Sequence, residues 1–290
     1  MSIQEFENKC FKELNFLYSN QEITSLCKYA YQEYFGDKWP SEILDKRREI
    51  RSDKQKLFEN YLNQLIFGNP YQYIFGYTEF YGLRLKVGEG VLIPRPETEQ
   101  LVDWVLEDFA TLGNLKVLDA CCGSGAISIA LSKHLESARI TGVDISEQAL
   151  KYAVNNDEIY QSNLRWIKQD LFDFIPEVKF DIIVSNPPYV RDLEKKEMHL
   201  NVLGKEPHAA LFVSDNDPLV FYERLRYIFN QYTQDHAVMY LECNQYLKQD
   251  LIDLYSPEFN VESRDDFRMN FRMLKASAPS SSTCRAARRR

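Results

Sequence analysis

No apolar run in this chain approaches the roughly 20 residues that cross a bilayer, and Glu5, Glu7 and Lys9 break up the first ten residues where a secretory core would lie. The expectation is a cytoplasmic protein with no membrane partner. Cys-x-x-Cys is absent: the cysteines stand at 10, 27, 121, 122, 243 and 284, and none of the four histidines lies near them at metal-ligand spacing. Free thiols and no metal site follow, and a bond between adjacent Cys121 and Cys122 would be strained. Basic excess is missing too. With 43 acidic against 35 basic residues the formal charge is −8, which argues against a long phosphate backbone as the main partner. There is no internal repeat. What is present is 290 residues, 44% of them hydrophobic, enough to fill the core of one large domain or two modest ones.

Residues 1–68 read as a small helical domain. Leu57, Phe58, Tyr61, Leu62, Leu65 and Ile66 recur at helical spacing until Gly68-Asn69-Pro70 stops the run, with Ser41 placed to cap this long helix. Phe6, Phe11 and Leu14, then Ile23, Leu26, Cys27, Ala30 and Tyr34, predict two shorter helices ending near Gly36. The mixed-sign run at 45–51 reads as a solvated helix face. Residues 69–94 are a β-hairpin linker, with alternating bulky residues over 79–87 and a Gly88-Glu89-Gly90 turn before Val91-Leu92-Ile93. A helix then starts, and capping accounts for Thr98 and Glu99. Arg95, held between two prolines, has no capping task and is a candidate site residue.

Residues 95–275 alternate strand and helix. Short apolar strands are predicted at 117–119, 139–144, 164–168, 180–185 and 237–242, with helices at 126–135 and near 219–232. This pattern gives an α/β fold, a Rossmann-like doubly wound parallel sheet. Residues 276–290, rich in Ser and Ala and closing on a run of arginines, are expected to be a disordered basic tail.

Chemistry concentrates at predicted strand ends. Cys121-Cys122-Gly123-Ser124-Gly125 joins a strand to a helix, where small residues permit close approach of a ligand and the helix amino terminus favours its anionic group. Asp144 ends the next strand, nineteen positions after Gly125, where a carboxylate accepts from ribose hydroxyls; Asp170 ends the third, near an adenine edge. Asn186-Pro187-Pro188-Tyr189 leaves the fourth. Its two prolines stiffen the loop and remove two backbone donors, so the Asn186 side-chain oxygen and the Pro187 carbonyl form a fork of two acceptors suited to an NH2 group, with Tyr189 as an aromatic wall. The combination is a nucleoside site beside an amide site.

Val117-Leu118-Asp119-Ala120-Cys121-Cys122-Gly123-Ser124-Gly125, Gly142-Val143-Asp144-Ile145-Ser146 and Ser185-Asn186-Pro187-Pro188-Tyr189-Val190 resemble the class I S-adenosylmethionine-dependent methyltransferases. With Leu92-Ile93-Pro94-Arg95-Pro96-Glu97-Thr98-Glu99, Glu206-Pro207-His208-Ala209-Ala210-Leu211 and the helical amino-terminal domain, the likeness narrows to the protein-(glutamine-N5) methyltransferase family, release factor branch. The resemblance implies methyl transfer from S-adenosylmethionine to a glutamine amide nitrogen of class I peptide chain release factors, by a monomer. It places the cofactor at residues 121–125, Asp144, Asp170, Leu171 and Asn186. It makes Asn186, Pro187 and Tyr189 catalytic and sets the acceptor against Asn186, Pro187, Pro188, Tyr189 and Arg95. The chain departs from the family in three places: Cys121 stands for a glycine, the strand before Glu242 lacks a Pro-Gly turn, and Cys243-Asn244 replaces a glycine-containing segment. Cysteine disfavours the positive φ open to glycine. Alternatives are a glutamine methyltransferase of a ribosomal protein, an N6-adenine nucleic-acid methyltransferase, against which stand the charge of −8 and an extra domain that is small and mixed in charge, and a non-catalytic binding module, which leaves the nucleoside site unexplained.

Overall fold

The computed structural model of the chain describes residues 1–198 and 200–279, in two compact units. The first comprises 1–77 and 198–206. Its helices are α1 (Ile3–Leu14), α2 (Asn20–Phe35), α3 (Trp39–Glu42), α4 (Ser52–Ile66) and α5 (Tyr71–Phe75). Both α1 and α2 open on capping boxes, Ser2 with Glu5 and Ser19 with Glu22, and α2 stops at Gly36, whose φ of 60° suits glycine. Phe6, Tyr31, Phe58, Tyr61 and Leu62 fill the core between them. Two expectations fail here. Ser41 lies inside α3 and donates to the Lys38 carbonyl, while α4 begins only at Ser52 with no side-chain cap. The charge run at 45–51 is a loop of turns rather than a helix face, tied down by Lys46 to Glu7 and Arg48 to Glu42.

The second unit begins with a hairpin, β1 (Tyr77–Phe80) and β2 (Leu83–Lys86). Its turn is at Tyr81-Gly82, both at positive φ; the expected turn at residues 88–90 is also present, the Val91 amide donating to the Gly88 carbonyl at 3.3 Å, but Val91-Leu92-Ile93 forms no strand, so the hairpin does not close there. There follow α6 (Pro96–Phe109), β3 (Lys116–Ala120), α7 (Ala126–His134), β4 (Arg139–Asp144), α8 (Glu147–Tyr160), β5 (Arg165–Lys168), β6 (Phe180–Ser185) and β7 (Val190–Arg191). After α9 (Leu200–Lys205), which belongs to the first unit, come β8 (Phe212–Val213), α10 (Val220–Tyr232), β9 (Thr233–Glu242), α11 (Lys248–Tyr255), β10 (Asn260–Asp265) and β11 (Phe271–Ser277). All five expected strands are present and pair in parallel, in the order β9-β6-β3-β4-β5. The antiparallel β11 and then β10 extend the sheet beyond β9. Because β11 runs through Ala276 and Ser277, the basic tail is not disordered from residue 276; the rest of that expectation, 280–290, lies outside the described residues.

Adjacent strand residues face opposite ways, and both faces of the sheet are covered. Val117, Ile140, Ile182 and Tyr240 pack with α6 and α7, whereas Leu118, Val143, Ile183 and Met239 pack with α10 and α11. The sheet is therefore doubly wound, and its carboxyl edge is open for a site.

Two supports hold the loop at 121–125. Trp166 on β5 lies over Gly142 and Gly125: a Cβ added at Gly142 would stand 2.4 Å from its indole and 3.0 Å from Cys122 Sγ. Buried Asp119 accepts from the Ser128 amide (3.1 Å) and hydroxyl (2.7 Å), fastening β3 to the first turn of α7. Burial pushes the Asp119 carboxyl up to about 7, against the two Ser128 bonds that pull it down. Its folded pKa lies above its unfolded value, so its contribution to stability is complete below about pH 4 and is lost as pH rises through about 7. Asp119→Asn should remove that part of the pH dependence, making the urea midpoint flatter than wild type between those limits. Gly142→Ala overpacks the indole and should destabilise by about 1–3 kcal/mol. A midpoint unchanged from wild type would show Trp166 free to move.

Candidate active site

The parallel register lines up the carboxyl ends of the strands. Ala120 pairs with Val143 on one side and Ser185 on the other, and Ser185 pairs with Leu241. The next residue on each strand is Cys121, Asp144, Asn186 and Glu242, which therefore form one row along the sheet edge. Ser185 holds the row by donating its hydroxyl to the Ala120 carbonyl at 2.7 Å.

A cavity of about 260 Å³ opens above it. Cys121, Gly123 and Asp144 line one end; Asp170, Leu171 and Phe172 line another; Asn186 and Pro188 close the side. Cys121 takes φ 61°, the left-handed angle disfavoured for cysteine, so the loop keeps a glycine-like path at a steric cost. The other loop residues do not line the cavity. The Cys122 amide donates to the Val143 carbonyl, the Ser124 carbonyl accepts from Asn156 Nδ2, and Gly125 (φ 79°) sits against Trp166. These three shape the loop from below. Gly123 N–H points to Asp144 Oδ2 at 2.8 Å, and Asp144 Oδ1 accepts from the Ser146 amide at 2.8 Å. Asp144 thus also pins the loop, a role its position in the sequence did not disclose. Burial raises its pKa against those backbone donors. Asp170 accepts from the Phe172 amide at 3.0 Å, which turns Leu171 inward, where it is buried.

A second cavity of about 40 Å³ lies across Asn186. Pro187, Tyr189, Arg95 and Glu242 line it, and it shares Leu92, Asn186 and Ala210 with the larger one. The two prolines part here: Pro187 lines the small cavity and Pro188 the large one. Asn186 alone among the motif residues borders both.

Behind Asn186 runs a chain of polar groups. Its Nδ2 donates to Thr98 Oγ1 at 3.2 Å, Thr98 donates to Glu242 Oε2 at 2.6 Å, and the Tyr189 hydroxyl donates to Glu242 Oε1 at 2.8 Å. Thr98 does not cap α6, and Glu99 accepts from the Tyr81 amide instead, so the capping expectation fails for both. Glu242 is 1% exposed; burial raises its pKa, while the Thr98 and Tyr189 hydroxyls and the Arg272 charge pull it back. Sequence reasoning missed Thr98 and Glu242. The available signal was a carboxylate ending the apolar run of β9, in the strand-end position already noted for Asp144.

The larger cavity fits a cationic nucleoside in its chemistry. It offers carboxylates beyond β4 and β5, apolar walls in Val143, Leu171 and Phe221, and a close-approach loop at Cys121 and Gly123. Among the described residues no helix is long and apolar enough to cross a membrane.

Comparison with known proteins places the chain in a family. Residues 99–227 match the methyltransferase small domain family. The release factor glutamine methyltransferase of Flavobacterium psychrophilum is 36% identical over 284 residues, covering 96% of this chain and 99% of that protein. That of Bacteroides thetaiotaomicron is 40% identical over 243 residues, covering 83% and 87%. Among solved structures, the 16S rRNA N2 G1207 methyltransferase of T. thermophilus in complex with AdoMet and guanosine gives a TM-score of 0.50 at 16% identity, over 70% of this chain and 50% of that one, a likeness of fold. With S-adenosylmethionine as its methyl donor, the chain belongs to the release factor glutamine methyltransferase family.

Proposed function

We propose that this chain methylates the side-chain amide nitrogen of a glutamine in a peptide chain release factor, acting as a cytoplasmic monomer. The observation that carries this reading is the position of Asn186, bordering both cavities with Nδ2 turned back to Thr98 and Oδ1 left without a partner among the described residues. In this reading Asp144, Asp170, Leu171, Cys121 and Gly123 hold S-adenosylmethionine in the larger cavity, where it supplies an electrophilic methyl group on a sulfonium. Cys122, Ser124 and Gly125 set the loop's shape, and Pro188 walls the same space. The acceptor side chain enters the smaller cavity.

An amide nitrogen is a poor nucleophile because its lone pair is delocalised into the carbonyl, so it must be held in line with the methyl group. Asn186 Oδ1 and the Pro187 carbonyl accept its two N–H bonds and fix that line. As the nitrogen gains positive charge, acceptors already aimed at it stabilise it more than they did before transfer, which is what lowers the barrier. Tyr189 packs along the side chain, and Arg95 faces the acceptor segment at the cavity mouth. Glutamate is refused because its carboxylate would meet two acceptors with no proton to donate. The helical domain at 1–68, joined through the linker at 69–94 to the transferase domain at 95–275, recognises the acceptor protein. Deleting the helical domain should abolish methylation of intact release factor while cofactor affinity, read by calorimetry, holds; full activity would remove the domain from this role.

Asn186→Ala leaves one N–H of the target amide unpaired and lets it rotate. Single-turnover methylation at saturating cofactor, followed by mass spectrometry of the release factor, should slow by roughly 10²- to 10³-fold, with cofactor affinity little changed. A variant as fast as wild type would reduce Asn186 to a turn residue and sink the proposed function.

A further inference from the structure

An asparagine amide offers an oxygen on one side and an NH2 group on the other. The two are nearly equal in size, so a half-turn about the terminal bond exchanges acceptor for donor. The fork works in only one orientation, and the Asn186 side chain has no intrinsic reason to choose it. The groups behind it do. An ionised Glu242 can only accept, and its two oxygens take the hydroxyl protons of Thr98 (2.6 Å) and Tyr189 (2.8 Å). Thr98 has a single hydroxyl proton. Once that proton is committed to Glu242, Oγ1 faces Asn186 with lone pairs alone, and only the NH2 side of the amide fits against it, at 3.2 Å.

We propose that Thr98 and Glu242 are positioning residues that fix the orientation of the Asn186 amide, and so make the site an acceptor pair selective for NH2-bearing side chains. The inference rests on the proposed function, in which Asn186 Oδ1 grips the target amide. In this reading both act through Asn186: Glu242 borders the smaller cavity, but its two oxygens are committed to the Thr98 and Tyr189 hydroxyls. Thr98 is 3% exposed and Glu242 1%, so the relay is shielded from water that would scramble its hydrogen bonds. A buried, directed chain of this kind holds one arrangement because flipping the amide would set two acceptors, Asn186 Oδ1 and Thr98 Oγ1, face to face, and turning the Thr98 hydroxyl to meet Oδ1 would leave a Glu242 oxygen without its proton.

The test is a double-mutant cycle read by single-turnover methylation at saturating cofactor. Thr98→Val keeps the shape and removes the hydroxyl; it should slow transfer by about 10-fold or more, leaving cofactor affinity unchanged. Thr98→Ser keeps the hydroxyl and should stay within about 3-fold of wild type. In an Asn186→Ala background, where there is no amide to orient, adding Thr98→Val should cost less than about 2-fold. Equal losses from Thr98→Val in both backgrounds, or a serine variant as slow as valine, would make Thr98 a packing residue and overturn the inference. So would a valine variant at the wild-type rate while Asn186→Ala is slow. Asn186→Ala at the wild-type rate would instead remove the proposed function, and this inference with it.

Discussion

The parallel register of four strands is the constraint from which the site follows. Hydrogen bonding of β9, β6, β3 and β4 aligns Leu241, Ser185, Ala120 and Val143, so the residue that follows each of these falls into one row. A slip of one residue in any pairing would turn that strand's side chains to the opposite face and break the row. Such a slip is opposed on both faces, because the strands are buried by α6 and α7 on one side and by α10 and α11 on the other. Core packing thus sets the placement of Asp144, Asn186 and Glu242, which themselves contribute little to the core.

The strand ends were legible in the sequence for the same reason. Doubly buried strands read as continuous apolar runs, and the first polar residue after each run marks the sheet edge. Asp144 and Asn186 were found that way, whereas Asp170 follows β5, an edge strand exposed at both ends. Thr98 and Glu242 were not, because their bond spans 144 positions and Thr98 had a sufficient local explanation as a residue of the first helical turn. The hairpin was misplaced for a similar reason. Gly88-Glu89-Gly90 does turn, but no strand follows it, whereas the hairpin's own turn needs positive φ at Tyr81, an angle that tyrosine rarely takes and that the pairing of β1 with β2 imposes. Strand β10 is partly exposed along its length, with no alternation to betray it.

Cys121 shows the limit of reading a loop by residue type. Where the family has glycine, the chain keeps the left-handed angle with a cysteine. The loop's path is dictated from outside it, by the Cys122 amide on β4, by Asp144 on Gly123 and by Trp166 against Gly125. Strain of about 1–2 kcal/mol at one residue is affordable when three independent contacts over-determine the conformation.

The same contacts leave negative charge at the edge. Among the described residues, the carboxylates of Asp144 and Asp170, which line the cavity, meet only neutral donors, among them the backbone N–H groups of Gly123, Ser146 and Phe172. Neutral donors stabilise a carboxylate without cancelling its field, and Asp144 in turn raises the Asp119 pKa. The overall charge of −8 reinforces that field. On the proposed function, such a cavity draws in a cationic sulfonium more strongly than the neutral thioether left after methyl transfer. On that reading one arrangement of acids shapes the loop, favours the charged donor, and loosens its hold once the charge has gone.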